Sequence, residues 1–207
     1  MEVAEASTPF LLGAVLEVTD GWHLYWEHPG DAGQETWADL SLPEGWAAGP
    51  ARYPGPERFT TQGVQSFGWD GGGAVIHEVT ATQGGTVTAQ VGWLACKTIC
   101  VAGEAEVALQ LEVGALRPST ALDGWKARLP VGTLPAASTD TLTWRIEVQG
   151  AELFPGPELD LALASHQQDE THYSLVLKRP APGAWGVIAV HDPATTSVSY
   201  HRVTLEP

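Results

Sequence analysis

Thr86-Val87-Thr88-Ala89-Gln90-Val91-Gly92-Trp93-Leu94-Ala95-Cys96-Lys97-Thr98-Ile99-Cys100-Val101 is the stretch on which the reading of this 207-residue chain turns. From Thr86 to Leu94 it alternates, with Val87, Ala89, Val91 and Trp93 on one face. Glu104 to Val113 alternates again, with Val107, Leu109, Leu111 and Val113 inward and Glu106, Gln110 and Glu112 outward. Period-two alternation of this length predicts half-buried strands. A short polar connection between them predicts a hairpin with Cys96 and Cys100 at its mouth. Residues facing each other across an antiparallel pair lie about 4.5–5.5 Å apart, within reach of a disulfide. Closing so small a ring contributes only about 2 kcal/mol. A chain of this length buries a core without such a staple. The pair therefore suits a reversible dithiol/disulfide at a loop tip, the alternative being a purely structural hairpin disulfide.

Upstream, Phe10 to Val18 is apolar and leads through Thr19-Asp20-Gly21 into a second short strand, Trp22-His23-Leu24-Tyr25-Trp26. Glu27 to Gly33 reads as a loop by its Pro and Gly. Thr36 to Leu42 alternates weakly, Pro43-Glu44-Gly45 turns, and residues 49–58 are too rich in Pro and Gly for regular structure. Thr61 to Gly73 reads as a polar, Gly-rich loop carrying Phe67 and Trp69, and Ala74 to Ala81 as a strand. Downstream, Leu122, Trp125 and Leu129 sit at helical spacing before Pro130, which predicts one short helix. Pro135 to Asp140 reads as loop. Five compact β runs follow: 142–149, 158–165, 172–179, 184–191 and 197–205. The expected fold class is all-β, two β-sandwich domains joined by a short helical linker. The expected divisions are 1–113 with the cysteine pair, 114–138 as linker, and 139–207 as a second sandwich-like domain of unassigned role.

The chain carries 10 Lys plus Arg against 25 Asp plus Glu, a net charge of −15. Phosphate binding needs clustered cations, so nucleic acid is excluded as a partner, and direct binding to an anionic lipid surface is disfavoured for the same reason. No apolar run reaches the roughly 18–20 residues of a membrane span. Met1-Glu2-Val3-Ala4-Glu5 lacks the basic and apolar regions of a signal peptide. Both a cytosolic start and a start left by signal cleavage fit it.

Several motifs of the first half resemble the N-terminal periplasmic domain of the DsbD/ScsB family of thiol:disulfide interchange proteins, the ScsB branch most. Gly21-Trp22-His23-Leu24-Tyr25-Trp26 with Pro29-Gly30-Asp31-Ala32-Gly33 is similar to a "GW-x-x-YW…PGD-x-G" segment. Tyr53-Pro54 with Pro56-Glu57-Arg58-Phe59 resembles a "P-x-P-x-RF" stretch, and Ser66-Phe67-Gly68-Trp69 the loop before its next strand. Cys96 to Cys100, followed by Glu104-Ala105-Glu106-Val107, resembles the family's active-site hairpin, with a tighter loop than the familiar DsbD pair.

This resemblance implies an immunoglobulin-like sandwich that relays electrons without a cofactor. It implies a membrane-embedded electron donor domain on one side and thioredoxin-fold proteins, such as disulfide isomerases or cytochrome-maturation factors, on the other. The implied location is periplasmic, with the signal peptide removed. Cys100 would form the mixed disulfides and Cys96 would resolve them. A cap loop over the cysteines is implied too; Gln65 to Gly73 is its expected source, with Phe67 the first candidate and Trp69 the second. Ordinary packing is the alternative for both aromatics.

Lys97 is one of three lysines in the chain and lies between the cysteines. A cation there favours the reactive thiolate; a solvated loop-tip residue is the alternative. His23 and His28 with Glu27 and Asp31 match no common zinc spacing, so no metal is expected. Trp22, Tyr25 and Trp26 are read as core rather than as a carbohydrate or choline site. Outside the exchange reading, a β-sandwich adhesion or binding module and a chaperone-like or metal-handling accessory are the competing functions.

Overall fold

The computed structural model describes residues 9–132, 137–140, 143–146, 151–157, 164–168, 173–177, 185–192, 194–195 and 197–204. The chain divides into two compact units, Met1–Ala127 and Arg128–Pro207. In the first, the described strands are β1 (Phe10–Glu17), β2 (His23–Gly30), β3 (Trp37–Ser41), β4 (Ala47–Ala48), β5 (Glu57–Thr61), β6 (Val64–Asp70), β7 (Gly72–Thr80), β8 (Gly85–Cys96) and β9 (Cys100–Leu111). Helix α1 (Thr120–Ala127) follows.

Strands β1, β7 and β4 form one sheet in that order, and β3-β8-β2-β6-β5 a second, with β9 also on β8. Strand β8 is long enough to serve three neighbours. Along one edge it pairs with β9 from Gly85↔Leu111 to Cys96↔Cys100 without interruption. Along the other it takes β3 at Thr88–Gly92 and β2 at Ala95–Cys96. Alternation sends Val87, Ala89, Val91 and Ala95 toward the smaller sheet, where all four are buried. Val75 packs with Ala38, Ala89 and Val91, and Val79 with Trp46, Ala81 and Val87, so each cluster joins the two sheets. Full burial of each valine stabilises by about 1.5–3 kcal/mol, and of each alanine by less.

Leu24, Trp26 and Trp69 are also fully buried, and the Trp69 indole N–H donates to the Pro54 carbonyl at 3.2 Å. Helix α1 packs on β1 and β7. Its Leu122 lies over Gly13, where a Cβ would crowd it, and its Trp125 meets the Trp69 ring edge-on at 6.0 Å.

Several sequence expectations change. Thr61 to Gly73 is not a loop. Gln62 and Gly63, both at positive φ, make the two-residue turn of a β5–β6 hairpin, and Gly71 leads directly into β7. Positive φ at both central positions is what a type I′ hairpin turn requires. Strand β2 runs on through Pro29 to Gly30, inside the segment expected to be loop. Val107 and Leu109, expected inward, are about half exposed (52% and 50%). They point to the core side, but β9 is the outermost strand of the wider sheet and overhangs the narrower one.

The second unit is also β-structured. Strands β10 (Ala137–Asp140), β11 (Thr143–Ile146), β14 (Tyr173–Leu177) and β13 (Ala164–Gln168) form one sheet in that order; β12 (Ala151–Pro155), β15 (Trp185–His191) and β16 (Val198–Thr204) form another. Strands β10 and β12 were not expected. Ala137-Ser138-Thr139-Asp140 lacks apolar alternation, and Leu153-Phe154 are consecutive apolar residues, both buried. Residues 147–149 and 158–163 of the expected runs 142–149 and 158–165 lie outside the described residues. Leu153, Ile188 and Val203 on one face of the second sheet and Phe154 and Val187 on the other are all buried.

Gly68 marks where β6 bends across β2: a Cβ there would strike the Leu24 carbonyl oxygen and the Tyr25 backbone. Beyond it the β2–β6 register breaks between Tyr25 and Gly30. Because the obstacle is backbone, Gly68→Ala is expected to lower stability by about 2 kcal/mol or more, read as a shift in urea midpoint. Gly124→Ala in α1, with open space around the added carbon, is expected to raise it by about 1 kcal/mol.

Candidate redox site at the ribbon tip

Cys96 and Cys100 are the last pair of the β8–β9 ladder, and their sulfurs are joined in a disulfide with the Cα atoms 4.1 Å apart. The Lys97 N–H donates to the Ile99 carbonyl at 3.0 Å and closes the turn. The two sulfurs are not equivalent. Strand β8 has a neighbour on either side at Cys96, β9 on one and His23 of β2 on the other, and Cys96 is 3% exposed. Strand β9 lies at the margin, and Cys100 is exposed. Beside it Ile99 and Val101 present apolar surface, 64% and 48% exposed. Thiol–disulfide exchange requires a thiolate to reach one sulfur of the bond, with the other leaving. Only Cys100 offers that approach.

Paired residues in a sheet share a face. The ladders therefore set Cys100, Cys96, His23 and Asp70 in one row across β9, β8, β2 and β6, on the face away from the core. The His23 ring stacks on Phe59 of β5 at 4.6 Å and meets Tyr25 edge-on at 5.1 Å. Tyr25 is buried beneath Gly33, where a Cβ would run into its ring. Partial burial pushes the His23 pKa below its ordinary value, and the Asp70 charge opposes this. Burial likewise raises the Tyr25 pKa and keeps its phenol protonated.

Lys97, expected as a cation for the sulfurs, turns onto the β1–β2 turn, where its amine donates to the Asp20 carbonyl at 3.1 Å. Phe67 and Trp69, expected on a lid over the cysteines, lie in β6 with their side chains on the opposite face and both are buried. The reason is parity: Trp69 pairs with Leu24, whereas the disulfide shares the face of Asp70. Phe67 instead carries the Arg58 guanidinium 5.0 Å over its ring.

The phenylalanine on the disulfide's face is Phe59, which pairs with Ser66. A turn at Gln62-Gly63 registers Phe59 against Ser66, one position out of phase with Phe67. The Pro29-Gly30-Asp31 motif fastens this hairpin to the sheet. The Asp31 N–H donates to the Gln65 carbonyl at 2.8 Å, the Gln65 N–H donates to the Asp31 carboxylate at 2.9 Å, and the Ser66 hydroxyl donates to the Ala32 carbonyl at 3.2 Å.

Residues 1–112 match the family described as thiol:disulfide interchange protein DsbD, N-terminal. The chain belongs to that family. The N-terminal periplasmic domain of ScsB from Proteus mirabilis is similar in fold to this DsbD N-terminal family chain, with a TM-score of 0.61 at 14% identity over 96% of this chain and 87% of that one. The fold is thus all-β and immunoglobulin-like, as the sequence motifs implied. An endo-fucoidan hydrolase of glycoside hydrolase family 107, MfFcnA4, aligns with a TM-score of 0.25 at 9% identity over 89% of this chain and 28% of its own, which carries no argument. No protein with a curated description matches. Membership assigns this domain to thiol:disulfide interchange chemistry, and the Cys96–Cys100 disulfide is the group in it suited to that chemistry.

After reduction, Cys100 is expected to be alkylated by iodoacetamide at least about tenfold faster than Cys96, since access and thiolate character set the rate. Mass spectrometry of the two labelled products at short times measures the ratio.

Proposed function

We propose that this domain is a periplasmic thiol–disulfide exchange module, taking electrons from a membrane-embedded donor domain and passing them to thioredoxin-fold partners. The observation that carries the reading is the inequality of the two sulfurs: one exposed on a marginal strand between apolar neighbours, the other sheltered a single strand inward. In the reduced domain the Cys100 thiolate attacks the partner's disulfide and forms a mixed disulfide, releasing one partner sulfur as thiolate. Cys96 then attacks Cys100, the intermolecular bond breaks, and the partner leaves with two thiols. The domain leaves with its disulfide restored. Electrons from the donor domain reduce it again.

Ile99 and Val101 give a partner apolar contact beside Cys100. A groove of about 320 Å³ on the same ribbon, with Gly92 as floor and Trp37, Ala102 and Glu104 as walls, extends the surface. Phe59 is the residue proposed to cover the site between encounters, in the place first expected for Phe67 or Trp69. The competing reading, a binding module with a structural disulfide, has less support, because the bond spans only three intervening residues and the core closes without it.

Two measurements separate the readings. The exchange reading expects the Cys96–Cys100 couple to be more easily reduced than structural disulfides, whose potentials fall below about −300 mV. It also expects Cys96→Ala to accumulate a stable mixed disulfide through Cys100 with a thioredoxin-fold protein. A potential below about −300 mV together with no trapped complex would sink it. Replacing both cysteines by Ser is expected to cost no more than about 2 kcal/mol of unfolding free energy.

A further inference from the structure

The resolving step poses a chemical problem. Cys96 must act as a thiolate, yet it is almost fully buried, and burial penalises the charged form of a thiol. Lys97, the nearest cation in sequence, is committed to the Asp20 carbonyl. The β2–β8 pairing sets one titratable side chain beside Cys96 on its own face, His23.

We infer that His23 is the proton acceptor that turns Cys96 into a nucleophile, an assignment that deepens the exchange reading above. In the mixed disulfide the Cys96 S–H gives its proton to an imidazole nitrogen. The sulfur then attacks Cys100 Sγ, the Cys100–partner bond breaks, and the electron pair leaves on the partner's sulfur. The proton on His23 passes to that thiolate or to water. The Cys96–Cys100 pair is oxidised by two electrons and the partner reduced by two.

The surroundings of His23 fit the role. Its ring is held by Phe59 from β5 and Tyr25 from its own strand. It makes no hydrogen bond among the described residues, so its nitrogens are uncommitted. Around His23 the charged and titratable groups on this face are Asp70 of β6, next in the row beyond it, Tyr25 of β2, and Glu57 of β5, two residues before Phe59; farther along the face stand Asp39 of β3 and Glu104 and Glu106 of β9. Lys97 stands at the ribbon turn. Tyr25 stays protonated, and the depressed His23 pKa leaves the imidazole neutral, able to accept, at neutral pH. Asp70 favours the imidazolium once the proton has arrived, which suits a transient acceptor.

The test uses the reduced chain and 5,5′-dithiobis(2-nitrobenzoate). Cys100 attack releases the first thionitrobenzoate, and Cys96 attack on the resulting mixed disulfide releases the second. With His23 as acceptor, the second phase in the native chain is expected to be nearly flat from about pH 7 to 9, because the base is already neutral there. His23→Gln is expected to slow that phase by about tenfold or more near pH 7, with the gap closing above about pH 9, where the thiol ionises unaided. The first phase should stay within about twofold, and added imidazole should restore the second phase to His23→Ala.

A native second phase that climbs about tenfold per pH unit through this range would overturn the assignment without any variant being made. So would an equal loss in both phases, or a loss independent of pH, which would mark a merely structural residue. Normal phases in a domain that transfers no electrons to thioredoxin-fold proteins would instead overturn the exchange reading and leave the proton acceptor standing.

Discussion

A slip of one residue between β8 and β9 would carry the partner of Cys96 to the opposite face, since side chains alternate with a period of two. The twelve-pair ladder from Gly85↔Leu111 to Cys96↔Cys100 forbids that slip. Burial of Val87, Ala89 and Val91 fixes the phase of β8, and the apolar Val107, Leu109 and Leu111 on the core side against Glu106 and Gln110 outward fix that of β9. Hydrophobic burial far from the tip thus fixes sulfur geometry at the tip. The same constraint makes β8 interior and β9 marginal, and from that difference follows the unequal exposure of the two cysteines.

A second constraint acts from the other side of the row. Strand β6 reaches Asp70 and Trp69 in register with β2, crosses it closely at Gly68, and continues as a hairpin fastened by Asp31 and Gln65. Because that hairpin is held, Phe59 meets His23 face to face and the outer surface of the sheet acquires a partly dry patch beside the disulfide. One face of the larger sheet therefore supplies stability and the other supplies chemistry, with alternate residues of the same strands serving each.

Much of this was legible in the residues. Alternation through Thr86 to Leu111 gave the ribbon, and the cysteine spacing gave its mouth. The aromatic and Pro-Gly-Asp motifs gave the family resemblance. What stayed hidden depended on strand order and sheet width, which one strand's pattern does not encode. Val107 and Leu109 follow the inward phase correctly yet stand half exposed, because the opposing sheet stops short of β9.

Gln62-Gly63 lacks the Asn-Gly or Asp-Gly signature of a tight hairpin. Without that signature the phase of Phe59 against Phe67 is not readable, and Phe67 and Trp69 lie on the face opposite the disulfide. By its spacing in the chain His23 fits no metal site and shows no other role. Its position beside Cys96 arises from a pairing between residues 73 positions apart.

The closeness of the two sulfur positions has a bearing on oxidative damage. An exposed thiolate struck by peroxide becomes a sulfenic acid, and a second strike makes the injury permanent. At Cys100 the first product faces a thiol on the adjoining strand, with the Cα atoms 4.1 Å apart. Condensation between them expels water and regenerates the ordinary disulfide. The tip thus carries its own repair, and Cys96 is shielded from the same injury by the strands on either side.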